Sequence, residues 1–282
     1  MLNRSRVIPA RLRATRSNGR EAEVLLVHPE ADGTWWAMVR PGGKLKEGRS
    51  VSFGNDAAAE VVEVNETGGG LRRLRFTGRL DINGIMQAYG SIPLPPYIDR
   101  PADADDQERY QTVFAREEGS VAAPTAGLHF TPEVLASIRG LGVTVAELLL
   151  HVGPGTFKPV EVEDPARHTM HAEHYAVSHE TARAVNGAAR VVAVGTTVAR
   201  TLETVGVTGT VEAGSGWTSI FIYPPYTFRA VDALLTNFHL PRSSLLMLVA
   251  AFAGHEQVMT AYLEAVKEQY RFYSYGDAML VV

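Results

Sequence analysis

The sequence predicts an α/β protein with a largely buried sheet, carrying a small all-β barrel or sandwich ahead of the α/β region. Three observations predict it. Residues 10–80 hold short apolar-rich runs separated by turn signals, the spacing of a small all-β domain. Pro93, Pro95, Pro96 and Pro101 then forbid helix and mark a boundary near 80–100. From residue 121 helical patterns alternate with apolar strands, the texture of a layered α/β structure.

The β-region reads in order as Glu21–His28, Thr34–Arg40, Ala57–Val64 and Leu71–Phe76. Between and around them lie Ser17-Asn18-Gly19, Ala31-Asp32-Gly33, Pro41-Gly42-Gly43, Gly54-Asn55-Asp56 and Gly68-Gly69-Gly70, all turn chemistry. An acidic run, Asp99–Glu108, follows the prolines. Thr131 caps a helix that starts at Pro132, with Val134, Leu135, Ile138 and Leu141 on one face. Val143–Val152 has strand composition, and Ser178 caps a helix through Ala189. The strand Val191–Val194, a helix over Thr197–Val205 and a strand over Trp217–Tyr223 come next, with Gly214-Ser215-Gly216 as a plain turn. Val231–Phe238 is a buried strand and Ser243–Ala253 a buried helix ended by Gly254. Glu256–Tyr270 closes the series as an amphipathic helix with Val258, Tyr262, Val266 and Tyr270 near one face.

The 282 residues contain no cysteine, which excludes disulfides, a thiolate nucleophile and any cysteine-ligated metal. The longest apolar run, Leu245–Ala253, falls far short of the ~20 residues of a membrane span. Met1–Ala10 lacks the apolar stretch of a secretory signal. A cytoplasmic protein with no membrane partner is expected. The net charge of −4 is uneven: residues 1–79 hold 14 Lys/Arg against 9 Asp/Glu, and residues 1–20 hold six arginines and no acid. That end suits a polyanion, or equally a solvated basic edge.

Polar and glycine residues gather in segments where a packed core would not place them. In Ala123–Thr131, His129 lies just before a helix cap, which disfavours imidazolium. Leu148–Pro159 ends a strand in His151 and continues through Gly153-Pro154-Gly155-Thr156 to Lys158. Such glycines let a backbone approach a ligand. His168, His171 and His174 with Glu173 invite a zinc reading, but H-E-x-x-H is absent and a helix would spread the three by ~60° per step. Val194–Glu203 is strand, Gly195-Thr196-Thr197, then helix with Arg200 one turn in, an arrangement for an anion. Thr236–Ser244 puts Asn237 and His239 at the end of a buried strand, where polar groups need partners or a role. No G-x-G-x-x-G follows a strand and no G-x-S-x-G occurs, so dinucleotide, ordinary methyltransferase and hydrolase fingerprints are missing.

Together these segments resemble the S-adenosylmethionine:tRNA ribosyltransferase-isomerase family of queuosine biosynthesis. The resemblance runs from Asn3 to the C-terminus through SRVIPARL (5–12), IPLPPY (92–97), RYQTVFARE (109–117), VAAPTAGLHFT (121–131), LHVGPGTFKPV (150–160), HTMHAEHY (168–175), VAVGTTVARTLE (192–203), GSGWTSIFIYPPY (214–226), DALLTNFHLPRSSLLMLVAAFAG (232–254) and YRFYSYGDAML (270–280). It implies a mixed-sheet α/β domain, residues 1–9 with 92–282, into which a small β-barrel domain, 10–91, is inserted.

The resemblance implies transfer of the ribosyl group of S-adenosylmethionine to 7-aminomethyl-7-deazaguanine in tRNA. The ribose is isomerised to give epoxyqueuosine, and adenine and methionine are released. S-adenosylmethionine is then a ribosyl donor, in keeping with the missing methyltransferase fingerprint, and no metal is expected. One group must remove a proton beside the sulfonium and another assist loss of adenine. The expected acid–base groups are His129, His151, His171 and His239, with Glu173 orienting or taking protons. Thr125, Gly127, Gly153 and Gly155 are expected at S-adenosylmethionine, Thr196, Thr197 and Arg200 at its methionine end, and Asn237 at ribose or base. A monomer is expected. The family pattern Asn-Asn-Thr-Arg appears here as Asn3-Arg4-Ser5-Arg6, and family members carry several dozen residues before it. The alternatives are therefore a truncated, inactive tRNA-binding relative or, behind it, a metal-dependent nucleotide or sugar hydrolase.

Overall fold

A computed structural model describes residues 1–65, 70–157 and 159–282. Gly68 and Gly69 of the expected glycine turn, and Lys158, lie outside the described residues. The chain divides into one unit of Met1–Arg6 with Arg109–Val282 and a second of Val7–Glu108. Several sheets, with parallel and antiparallel pairs and helices between them, make it a mixed α/β protein.

The unit Val7–Glu108 is built from Arg11–Arg16 (β1), Glu21–Pro29 (β2), Trp35–Arg40 (β3), Ser50–Phe53 (β4), Ala57–Asn65 (β5) and Leu71–Gly78 (β6). Alternate residues turn inward, as the strand period of two requires: Leu12 and Ala14, Val24 and Leu26, Ala37 and Val39, Val51 and Phe53, Ala59 and Val61. The ladder runs β2–β3–β6–β5–β4–β1, and β1 also pairs with β2, so it returns on itself. Register shifts at Leu26/His28 and Val61/Glu63 are bulges of the kind that raise local twist. β1 and β4 are short and alternate apolar with polar residues, so they contain no apolar run for turn and run patterns to pick out. The helix Ile82–Tyr89 (α1), also unexpected, starts on Asp81, whose carboxylate accepts from Gly84 N at 2.8 Å. It stops at Gly90, where a Cβ would lie 2.3 Å from the carbonyl oxygens of Met86 and Pro9.

In the other unit the chain forms Pro132–Gly140 (α2), Glu147–Leu150 (β7), Glu173–Val177 (β8), His179–Asn186 (α3), Val192–Val194 (β9) and Thr196–Val205 (α4). Gly214–Thr218 (β10), Ala233–Asn237 (β11), Ser244–Ala253 (α5), His255–Lys267 (α6) and Ala278–Val281 (β12) follow. One sheet runs Leu2–Asn3, β7, β8, β10, the first pair parallel and the others antiparallel. The other runs β9–β11–β12, parallel then antiparallel. Leu148, Leu150, Val198, Leu202, Leu234 and Val249 lie in the shared core. α4 is buried from Thr196 to Glu203, so both of its faces are packed.

Several elements differ from expectation. Gly214-Ser215-Gly216 is strand rather than turn, because its backbone pairs with Tyr175–Val177, and Gly216 has Tyr175 over it where a Cβ would be 3.0 Å from the phenol oxygen. That strand ends at Thr218 instead of running to Tyr223. Of the apolar face expected on α2 only Leu135 is buried; Leu141 is 82% exposed, as the helix lies at the surface on one turn. On α6 the inward face is Val258, Tyr262 and Ala265, and Val266 is exposed; Tyr270 lies beyond the helix end at Lys267 and meets Phe238 edge-on with ring centroids 5.8 Å apart. The strand expected over 143–152 begins only at Glu147, with Val143 exposed.

Candidate functional site

Glu173 and Arg200 form a buried ion pair on the core side of the sheet. β8 brings Glu173 up and α4 brings Arg200 across, and Nη1 donates to Oε2 at 2.6 Å with both side chains 5% exposed or less. The other carboxylate oxygen accepts from Gly153 N at 2.9 Å, so the glycine turn is fastened to the pair. Arg200 Nε donates to Ile220 O at 3.3 Å, while Nη2 is buried and finds no hydrogen-bond partner among the described residues. The pair lies at a cavity of about 260 Å³, whose lining also includes Gly155, His171, Arg167 and Ser244. Gly155 has His171 directly over it: a Cβ there would come within 2.7 Å of Cδ2. Thus Gly153, Gly155, His171, Glu173 and Arg200, five of the residues expected from sequence, meet at one place.

A second group forms around Asn237 at the end of β11. Its Nδ2 lies 3.1 Å from His129 Nε2 and donates to Tyr273 O at 3.2 Å. The Tyr273 carbonyl fixes which end of the amide is the donor, so His129 Nε2 accepts and the proton of the neutral ring sits on Nδ1. Asn237 Oδ1 is left buried without a partner among the described residues. His129 is exposed as a residue, yet partial desolvation of its ring lowers its pKa from the ordinary imidazole value; Asp277 opposes this and Arg271 adds to it. Thr125–His129 is a 3₁₀ turn with Ala126 and Gly127 buried. Gly127 is required there, because a Cβ would sit 2.7 Å from Phe114 and Thr112. Ala126 lies 3.6 Å from where a Cβ of Gly195 would stand, and Gly195, at φ 93°, is the N-cap of α4. Thr196 and Thr197 begin that helix, both buried and neither among the residues lining the cavity at Arg200.

His151 and His239 stand apart from both groups. His151 follows β7 and stacks on His174 with ring centroids 5.9 Å apart; His174 in turn meets Trp217 at 5.4 Å. These residues sit opposite one another across strands, on the face away from Glu173. Burial, then the neighbouring His174, lower the His151 pKa. Gly119 packs under its ring, where a Cβ would be 2.5 Å from Cε1. His239 bonds through Nε2 to Thr236 Oγ1 at 2.7 Å, and burial pushes its pKa down to about 4. It is neutral near pH 7 and a weak base.

Sequence reading missed the His174–Trp217 contact, which depends on strand register, and the parts played by Arg167 and Ser244 in lining the cavity. The segment 168–174 is loop followed by strand rather than helix. Among the described residues no group of three His, Asp or Glu side chains is placed to hold a metal ion. No helix among them is long and apolar enough to cross a membrane.

Residues 1–281 match a family model described as queuosine biosynthesis protein. The S-adenosylmethionine:tRNA ribosyltransferase-isomerase of Heliobacterium modesticaldum is 52% identical over 290 residues, covering 100% of this chain and 84% of that protein. The one from Moorella thermoacetica is also 52% identical, with the same coverage. A crystal structure of S-adenosylmethionine tRNA ribosyltransferase from Thermotoga maritima is 40% identical, with a TM-score of 0.49, covering 100% of this chain and 81% of that one.

Proposed function

The chain belongs to the queuosine biosynthesis protein family, and from that premise we propose that it is a transferase and isomerase acting on tRNA. It moves the ribosyl group of S-adenosylmethionine onto 7-aminomethyl-7-deazaguanine in tRNA and isomerises it to give epoxyqueuosine, with adenine and methionine leaving. The observation that carries this is 52% identity, over the whole chain, to relatives bearing that enzyme name. The metal-dependent hydrolase and the inactive relative are not favoured by it.

The chemistry needs a neutral base for the proton beside the sulfonium and a donor for departing adenine. In this reading His129 is the base: the residue is exposed, so a substrate can reach it, and partial desolvation lowers its pKa from the ordinary imidazole value. Asn237 Oδ1, an acceptor with no partner among the described residues, takes a ribose hydroxyl or the adenine amino group. His171, at the wall of the cavity, and His151 are the remaining proton carriers, with Glu173 orienting through its bond to Gly153. His239 serves as a neutral hydrogen-bonding group, because a pKa of about 4 makes it a poor proton acceptor. Thr125, Gly127, Thr196 and Thr197 shape the backbone against S-adenosylmethionine. The ring of strands β1 to β6 is, in the same reading, a small inserted barrel, and the enzyme works in the cytoplasm as a monomer with no resident metal.

The test is adenine release from S-adenosylmethionine with tRNA carrying the aminomethyl-deazaguanine precursor. Release that needs the modified tRNA is expected. Its absence, with binding of tRNA retained, would leave an RNA-binding relative without the activity.

A further inference from the structure

The cavity at Arg200 has two independent features that call for an anion. One is the guanidinium itself: Nε and Nη1 are occupied by Ile220 O and Glu173, and Nη2 is buried without a partner among the described residues. A buried donor left unpaired costs as much as the lost hydrogen bond, so a ligand that accepts from it recovers that cost. The other is the start of α5. Ser243 caps this ten-residue helix, its Oγ accepting from Leu246 N at 3.1 Å. Of the two N–H groups ahead of it, that of Ser244 is taken up by the bridge between Pro159 and Ser243, and that of Leu245, a residue lining the cavity, is left for a ligand. First-turn N–H groups have no acceptor within their own helix, and the helix dipole favours negative charge there.

The other charges narrow the class of anion. Glu161, Glu173, Arg167 and Arg200 all line the cavity, two charges of each sign, so a ligand that carries both signs matches it better than a doubly charged phosphate. A zwitterion suits this set: its carboxylate faces the donors and its ammonium faces Glu161. Size agrees. The cavity of about 260 Å³ lies below the roughly 300–1,000 Å³ usual for complete small-molecule sites, so it takes one arm of a ligand rather than a whole nucleoside. Nη2 is shielded from solvent, so a ligand reaches it only when part of the lining moves aside. The stretch from 168 to 172 in that wall is neither helix nor strand.

We propose that this cavity receives the amino-acid arm of S-adenosylmethionine, with the carboxylate on Arg200 Nη2 and the first turn of α5 and the ammonium on Glu161. The assignment rests on the reading that S-adenosylmethionine is the substrate. It moves the anion site from the start of α4, which the sequence suggested, to the start of α5.

Calorimetry on the full chain without tRNA tests it, using S-adenosylhomocysteine, its decarboxylated counterpart and 5′-methylthioadenosine, which lacks the arm. Loss of the carboxylate is expected to weaken binding about tenfold or more, the effect of a charge-assisted hydrogen bond. Arg200→Lys and Glu161→Gln are each expected to weaken S-adenosylhomocysteine severalfold and leave 5′-methylthioadenosine unchanged. Glu161 is exposed, so that variant does not endanger the fold. Methionine is expected to compete and inorganic phosphate not to. Equal affinity with and without the carboxylate would overturn the assignment while the substrate reading stands. A carboxylate effect that persists undiminished in both variants would place the arm elsewhere, and phosphate competing better than methionine would make this a phosphate site. No binding of S-adenosylmethionine or S-adenosylhomocysteine at all would remove the substrate reading itself.

Discussion

Glu173 and Arg200 are each tolerable in the interior only because of the other. Breaking a buried pair by neutralising one member leaves the remaining charge uncompensated, at a cost of about 3–5 kcal/mol. Glu173→Gln keeps the shape and can still accept from Gly153 N, so the loss is expected near the lower end, about 3 kcal/mol, read as a fall in unfolding free energy by denaturant titration. An unchanged midpoint would mean the pair is not closed in solution. His239 gives a pH signature of its own. Its folded pKa of about 4 lies below the ordinary value of 6.5, so the unfolded chain binds a proton first as pH falls. The stability it contributes is complete above pH 6.5 and disappears between there and pH 4, by about 3 kcal/mol at 1.36 kcal/mol per pH unit. His239→Gln should flatten the pH dependence of unfolding in that window, and an identical slope in the variant would show that another group governs it. At this scale much was legible from sequence, because Arg200, Asn237 and His129 are polar side chains in segments otherwise apolar or rich in glycine, and Glu173 sits among three histidines. What stayed hidden was partnership. Nothing local tells that Asn237 meets His129 or that His174 meets Trp217.

The helices begin where short-range chemistry says they should, but two end early: the one capped by Ser178 stops at Asn186, short of Ala189, and α6 stops at Lys267, short of Tyr270. Thr131 before Pro132, Ser178 before α3, and Ser243 with Gly254 at the two ends of α5 are all caps in the structure. A cap is decided by side chains within a few residues, so sequence shows it. Strands are decided by their partners. Arg11–Arg16 and Gly214–Thr218 look unlike strands alone, and exist because Glu21–Leu25 and Glu173–Val177 supply the other half of their ladders. The same distinction separates helix existence from helix face: α2 was placed correctly, but which side it buries depended on neighbours remote in sequence. Two element-level tests follow. Ser243→Ala removes the bond to Leu246 N and should cost about 1 kcal/mol of stability together with weaker S-adenosylhomocysteine binding. A cap that is only structural would lower stability and leave that affinity unchanged. Gly119→Ala drives a methyl group into the His151 imidazole, where the Cβ would lie 2.5 Å from Cε1, at a φ of 143° that side chains rarely adopt. Overpacking of this kind costs about 1–3 kcal/mol. If His151 carries a proton in the reaction, kcat should fall further than stability loss explains at a temperature where the variant remains folded. Undiminished kcat would remove His151 from the proton carriers.

Over the whole molecule the net charge of −4 conceals a basic excess in the first 79 residues, 14 Lys/Arg against 9 Asp/Glu. In the unit Val7–Glu108 these cations are not equivalent. Arg73 is held by Asp32 at 2.9 Å and Glu63 at 3.2 Å, Arg79 by Asp56, and Arg72 is buried with Nε donating to Leu45 O at 2.7 Å. Arg13 and Arg20 are exposed and enter no ion pair among the described residues. A cation already neutralised by a carboxylate releases few counterions when a phosphate approaches, whereas an unpaired one releases about one. For tRNA binding measured from 50 to 200 mM salt, Arg13→Ala and Arg20→Ala should each lower the slope of log affinity against log salt by about 1. Arg73→Ala should leave the slope nearly unchanged, although it removes the same formal charge. That contrast separates a phosphate-contacting surface from a general effect of net charge, which would move all three variants alike. Slopes equal to the parent's in Arg13→Ala and Arg20→Ala would take this unit out of the tRNA interface, and its arginines would then be only the solvated outer face of the strands that carry them.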